Sequence, residues 1–142
     1  MTQDTIAPEL AARIRDDAYA RFLGATVEAI EPGYARVSLV VGESSLNFHG
    51  ITHGGVVFSL ADIAFGCASN SHGNKALALA VSVNFLRPTG AGDRLLAEAR
   101  EVSASGPTAC YDITVSESNS QELVAKLQGT AYRKREAIVH PQ

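Results

Sequence analysis

The chain has little charge of one sign to offer: 12 basic and 15 acidic residues leave a net charge of −3, and no basic run exceeds Arg133-Lys134-Arg135. That balance creates too weak a field to gather nucleic acid or an anionic membrane, so neither is expected as a partner. Cysteine is scarce as well. Cys67 and Cys110 stand far apart among small or apolar residues, without the spacing of a zinc or redox site, and read as buried free thiols. No run reaches the ~18 apolar residues of a membrane span. The opening MTQDTIAPELAARIRDD has neither the basic flank nor the apolar core of a secretory signal, so a cytoplasmic protein is the expectation. Repeats and long linkers are also missing. The 142 residues, 46% apolar and 19% charged, suit one globular domain over 1–142.

What is present is a clear order of periodic segments. Leu10, Ile14, Ala18 and Phe22 recur every four residues, which predicts one helix from Pro8 to Leu23 with Pro8 in its first turn. Val27 to Ile30 and Ala35 to Val41 flank Glu31-Pro32-Gly33 and read as a hairpin. A nearly all-apolar stretch, Val56 to Ala68, reads as a buried helix. Leu77 to Leu86, Leu95 to Val102, Ala109 to Glu117 and Leu123 to Tyr132 read as strands. Pro88-Thr89-Gly90, Ser105-Gly106-Pro107 and Ser118-Asn119-Ser120 mark the turns between them. Strands on both sides of one apolar helix predict an α+β architecture, an antiparallel sheet wrapped around the helix, with these last strands as a meander.

Within HGGVVFSLADIAFG, Asp62 is the only charge on the apolar helix. An aspartate there needs a partner or a polar cleft, because desolvating the ion is costly. Two readings stand: a carboxylate satisfied by hydrogen bonds at a subunit contact, or a general base or nucleophile with a raised pKa. The helix start adds a second group. Gly54 and Gly55 carry no side chains to block their N–H groups at the positive end of the helix dipole, where an oxyanion can be held. Eight residues of helix separate Gly54 from Asp62 by about 12 Å, too far for both to reach one carbonyl carbon. If they serve one substrate, two antiparallel copies of the helix must face each other, which predicts a symmetric dimer with two sites.

Asn47, His53-Gly54-Gly55, Leu60-Ala61-Asp62 and Asn84-Phe85-Leu86-Arg87-Pro88, in this order and spacing, resemble the hotdog-fold acyl-CoA thioesterases, above all those of phenylacetic acid degradation. The likeness runs over a core of about 22–133, with a short helix before it and a flexible tail expected over about 136–142. It implies hydrolysis of a CoA thioester, phenylacetyl-CoA or a related aryl-acyl-CoA. Gly54 N–H would polarise the thioester carbonyl, Asp62 of the facing chain would activate water or attack, Asn47 would lie beside the carbonyl or the water, and His53 would shape the helix start. Gly55, Ser82, Asn84, Phe85, Arg87, Pro88, Ser105 and Thr108 are the implied substrate-binding positions. The resemblance also implies a homodimer that forms the sites, usually as a dimer of dimers, and no cofactor beyond the CoA that belongs to the substrate.

One position departs from the family. Where relatives carry a serine or threonine that assists the carboxylate, this chain has Ala78. Ser82, four residues on, would share a face with Ala78 in a regular strand and is a displaced candidate for that role, the alternative being that Asp62 works without the hydroxyl. Other readings remain alongside. His49 and His53 could form a metal pair but lack a third ligand, and Ser59 lacks the strand–turn–helix setting of a nucleophile elbow. A hotdog hydratase would divide acid and base roles between His53 and Asp62, and a binding module would need no such carboxylate.

Overall fold

The structure, a computed structural model, describes residues 3–140. Its centre is the apolar helix, α3 (Gly54–Asn70), which lies against one face of a seven-stranded sheet. Val57, Leu60, Ala61, Ala64, Phe65 and Ala68 are buried along it. The sheet answers with alternate residues of its inner face: Ala35, Val37 and Leu39, then Leu95, Ala97 and Ala99, then Ala109, Tyr111, Ile113 and Val115. This period of two against a period of 3.6 is the expected signature of a helix packed on a half-buried sheet. The fold is the α+β arrangement expected of a hotdog domain.

The strands are β1 (Gln3–Asp4), β2 (Thr26–Glu31), β3 (Tyr34–Val40), β4 (Asn74–Phe85), β5 (Arg94–Ser105), β6 (Thr108–Glu117) and β7 (Leu123–Ala137), in the sheet order β1-β2-β3-β5-β6-β7-β4. Among the described residues only β1, two residues long and parallel to β2, departs from antiparallel pairing. The expected four-strand meander is confined to β5–β7. The two edges of β5 are taken by β3 and β6, so β4 pairs instead with β7 at the far edge of the sheet. β7 also runs on to Ala137, where Lys75 meets Glu136 at 2.6 Å and Ile138 N–H donates to the Gly73 carbonyl. The tail expected to be flexible from 136 is therefore strand at its start, and its last two residues, Pro141 and Gln142, lie outside the described residues.

The single helix expected over Pro8–Leu23 is two, α1 (Pro8–Arg15) and α2 (Ala18–Leu23). Asp17 breaks it: its backbone is extended, and its carboxylate accepts the Ala20 N–H at 3.0 Å as the cap of α2. β4 also holds an irregularity that periodicity did not show. Ala78 pairs with Ala131, but Ala80 pairs with Thr130, so Leu79 is an extra residue, a β-bulge. Each residue beyond it changes face relative to a regular strand.

Helix and sheet approach closely where Phe65 meets β7. Gly129 of β7 passes under Phe65 so closely that a Cβ there would sit 2.7 Å from the ring. Tyr111 then packs against the same ring, centroids 5.4 Å apart. Substituting Gly129→Ala should therefore cost about 1–3 kcal/mol through overpacking. Adding Phe65→Leu should return part of that loss. Chemical denaturation of the single and double variants checks this, and a Gly129→Ala midpoint equal to wild type would contradict the close packing.

Candidate active site

The approach to α3 is a tight loop built from backbone hydrogen bonds. Asn47 N–H donates to the Ile51 carbonyl at 2.8 Å, and the Asn47 carbonyl accepts Gly50 N–H at 2.9 Å, with Gly50 at φ +77°. The Asn47 side-chain oxygen accepts the His49 and Ile51 N–H groups at 2.9 and 3.3 Å. That leaves its Nδ2, a donor, with no partner among the described residues. Next, Thr52 N–H donates to the Thr89 carbonyl at 2.9 Å, and the buried hydroxyls of Thr89 and Thr52 meet at 2.8 Å. His53 N–H reaches the Ser45 carbonyl at 2.8 Å. These links fasten the start of α3 to the segment that follows β4.

His53 is the cap of α3. Its Nδ1 accepts the Gly55 N–H at 2.8 Å, and its carbonyl accepts from Val56 and Val57. Only Gly54 among the first N–H groups of the helix therefore has no partner within the described residues. This corrects the expectation of two open N–H groups: Gly55 is committed to the cap, and a Cβ on it would press to 3.0 Å against His53 Nδ1. The imidazole of His53 serves the helix geometry, and the His49 ring rests on Phe48, centroids 4.0 Å apart.

Gly54 opens into a cavity of about 430 Å³ lined by Asn47, Phe85, Arg87, Pro88 and Val57, with Thr52 and Thr89 at its base. Two donors without partners, Gly54 N–H and Asn47 Nδ2, thus share a cavity with an apolar wall. A Cβ placed on Gly54 would touch the Phe85 ring at 3.5 Å. Of the expected binding positions, Phe85, Arg87 and Pro88 are brought here. Ser82 and Asn84 are not. Beyond the bulge they pair with Gln128 and Lys126, on the face turned away from the core residues Ala125, Leu127, Gly129 and Ala131. Ser82 is therefore on the opposite face from Ala78 and cannot supply the hydroxyl missing there. Ser105 and Thr108 flank the β5–β6 turn, exposed, beside a different cavity lined by Gly106 and Pro107.

Asp62 lies two turns further along α3, in a second cleft of about 460 Å³ with Ile14, Asp17, Tyr19, Ile63, Cys67 and Lys75. It is not sunk in the core: it is exposed on the face of the helix turned from the sheet. Partial desolvation by the walls of the cleft, and secondarily the charge of Asp17, push its pKa above the ordinary carboxylate value. No hydrogen bond or ion pair holds it among the described residues. Sequence reasoning missed the neighbours that shape this cleft, among them Tyr19, whose hydroxyl meets Ser59 Oγ at 3.0 Å. No local pattern marks them, because α1 and α2 reach α3 only through the tertiary fold.

Residues 49–124 match the Thioesterase superfamily. The chain belongs to that family. It is 40% identical over 122 residues to the acyl-coenzyme A thioesterase PaaI of Escherichia coli, covering 86% of each chain. A putative esterase of Archaeoglobus fulgidus is 42% identical over 122 residues, 86% of this chain and 79% of the relative. The solved structure of E. coli PaaI superposes with a TM-score of 0.86 at 39% identity, over 91% of this chain and 93% of that one. A Streptococcus mutans protein solved with acetyl CoA gives 0.75 at 33% identity, over 80% and 90%. This thioesterase is thus a thioester hydrolase on a hotdog fold, similar to the PaaI acyl-CoA thioesterase.

Because folding raises the pKa of Asp62, the folded chain holds that proton more tightly than the unfolded one. The group's contribution to stability is present below the unfolded aspartate pKa and is lost as pH rises through the folded value. Asp62→Asn should then be at least as stable as wild type at neutral pH. Asp17→Asn, which keeps a capping side chain, should lower the pKa of Asp62. A carbon-detected NMR titration of the carboxylates reads this shift, and an unmoved Asp62 would remove Asp17 from the account.

Proposed function

We propose that this thioesterase hydrolyses acyl-CoA at sites shared between two copies of the chain. The observation that carries the reading is the division of the site. Gly54 with Asn47 and Asp62 line separate cavities, and α3 holds them about 12 Å apart along its axis. An antiparallel second copy of α3 would bring Asp62 of the partner subunit to the Gly54 donor. The twelve-residue edge strand β4 supports such a pairing, since a long uncovered edge favours strand addition.

In the chemistry that follows, the thioester oxygen accepts from Gly54 N–H and Asn47 Nδ2. Asp62 of the partner subunit takes a proton from water, and the water oxygen bonds to the carbonyl carbon. Negative charge then grows on the oxygen held by Gly54. As the tetrahedral intermediate collapses, the C–S bond breaks and the proton passes to the leaving thiolate, giving a carboxylic acid and CoA. Attack by Asp62 itself through an anhydride is the alternative route. Single turnover in labelled water separates the two, because only the covalent route first places an enzyme oxygen in the product.

The acyl group proposed is phenylacetyl or a related aryl-acyl group. Its support is the E. coli relative, whose structure is described as coming from the phenylacetic acid degradation operon. A hydrolysis panel over phenylacetyl, hydroxyphenylacetyl, benzoyl and straight-chain acyl-CoA tests it, and higher kcat/KM for the straight chains would overturn it.

Asp62→Asn should lower kcat by at least about 100-fold, the scale of a lost general base, with CoA binding retained. The acid limb of kcat/KM should lie above the ordinary aspartate range, since Asp62 must be ionised to act and its pKa is raised. Mixing Asp62→Asn chains with Gly54→Val chains should restore about a quarter of wild-type activity, because random pairing gives half heterodimers with one intact site each. Proven heterodimers without recovery would refute the shared site.

A further inference from the structure

We infer that the paired hydroxyls of Ser59 and Tyr19 hold the water that Asp62 deprotonates. The inference rests on the acyl-CoA reading above, in its water-attack form, and supplies a group that reading lacks. A water that attacks a carbonyl carbon donates one proton to its base and needs an acceptor for the other, so that a lone pair points at the carbon. Asp62 fixes only the first of those bonds. The inner face of β4 cannot fix the second, because Lys75 to Val81 carry no hydroxyl and Ser82 turns away.

The helix itself offers one. Ser59 precedes Asp62 by three residues on α3, so their side chains are neighbours, with Cβ atoms about 5–6 Å apart. No direct bond joins them among the described residues, and one bridging water suits the gap. Gly66, four residues beyond Asp62, has no side chain, and a Cβ there would meet nothing within 4 Å. Open space thus lies on one side of the carboxylate and a hydroxyl on the other.

Tyr19 fixes Ser59 from outside the helix. Its hydroxyl meets Ser59 Oγ at 3.0 Å across 40 residues of chain, and it lines the cleft of Asp62. Whichever hydroxyl donates, Ser59 Oγ keeps a lone pair for the water. Without this contact the serine would be free to bond a carbonyl of the preceding turn, as serines within helices do. The other polar groups of the cleft are occupied or of the wrong kind. Asn70 Nδ2 donates to the Gly66 and Ala76 carbonyls, and its Oδ1 accepts the Ala76 N–H. Asp17 Oδ1 accepts the Ala20 N–H as the cap of α2. Arg13 and Lys75 line the cleft as donors only. Ser59 therefore touches the reacting water, Tyr19 is a positioning residue, and both belong to the chain that supplies Asp62.

Ser59→Ala should lower kcat about tenfold and leave KM near wild type, the scale of one lost hydrogen bond in the transition state. Ser59→Thr should keep most of the rate. Tyr19→Phe should cost about threefold, and nothing further when added to Ser59→Ala. Mixed dimers of Asp62→Asn and Gly54→Val chains separate this role from a structural one, because their working site takes Asp62 from the Gly54→Val chain. Ser59→Ala on that chain should lower the recovered activity about tenfold. On the Asp62→Asn chain it should leave the recovery intact, since that chain supplies Gly54 alone. Equal loss from either chain would make Ser59 structural and overturn the inference. Unchanged kcat in Ser59→Ala beside a lost kcat in Asp62→Asn would overturn it too, while sparing the hydrolysis reading. If no CoA thioester is turned over at all, that reading fails on its own, and crystal structures still decide the water. It should lie between Asp62 and Ser59 Oγ in wild type and be gone in Ser59→Ala, and a wild-type structure without it would end the proposal.

Discussion

A helix that is apolar nearly all round must be covered on more than one side, and this chain supplies a sheet for only one. That constraint organises the molecule. The inner faces of β3, β5, β6 and β7 enclose Leu60, Ala61, Ala64, Phe65 and Ala68, at ~25 cal/mol for each Å² of apolar surface removed from water. The close approach of Phe65 to Gly129 limits the height of the helix above the sheet. The opposite side of α3 is only partly screened, by α2 through the Tyr19–Ser59 contact. Asp62 sits on this incompletely covered side. Its carboxylate is therefore tolerable in the folded chain, and accessible to a substrate, for the same reason.

The helix start depends on a different economy, that of hydrogen-bond donors. A helix opens with N–H groups its own turns cannot satisfy. Here His53 takes Gly55 through Nδ1 and holds Val56 and Val57 on its carbonyl, which leaves Gly54 as the one N–H of the helix start without a partner among the described residues. A glycine at that position keeps the donor open, because any side chain would point at Phe85. Thr52 and Thr89 lock this geometry from below with a buried hydroxyl pair. The loss of that lock would let the helix start drift relative to Arg87 and Pro88.

Much of this was legible in the residues. The alternation in Ala35–Val41 and the apolar run around Asp62 announced the hairpin and the central helix, and HGG announced a donor at the helix start. What escaped was set by features with no local period. One extra residue at Leu79 reverses the facing of Ser82 and Asn84, and nothing in ALALAVSVNF distinguishes a bulged strand from a regular one. Asp17 could have warned of the break in the first helix, since aspartate is a better cap than an interior residue. The placement of β4 beside β7 follows from which strand edges are already occupied, a property of the whole sheet.

The facing of Ser82 on β4 sharpens the chemistry. With Ala78 on the inner face and Ser82 turned away from it, no hydroxyl from this part of β4 stands on the helix side of the sheet. The tuning of Asp62 then falls to partial desolvation in its cleft and to the charge of Asp17 from the start of α2. Both raise the pKa, and neither orients a water. A carboxylate whose basicity is increased by its surroundings, while no neighbouring hydroxyl shares its proton, is a stronger base once ionised than one held by hydrogen bonds. The N-terminal helices thus do more than cover the edge of the core: through Asp17 and Tyr19 they set the environment in which the one charge of the central helix works.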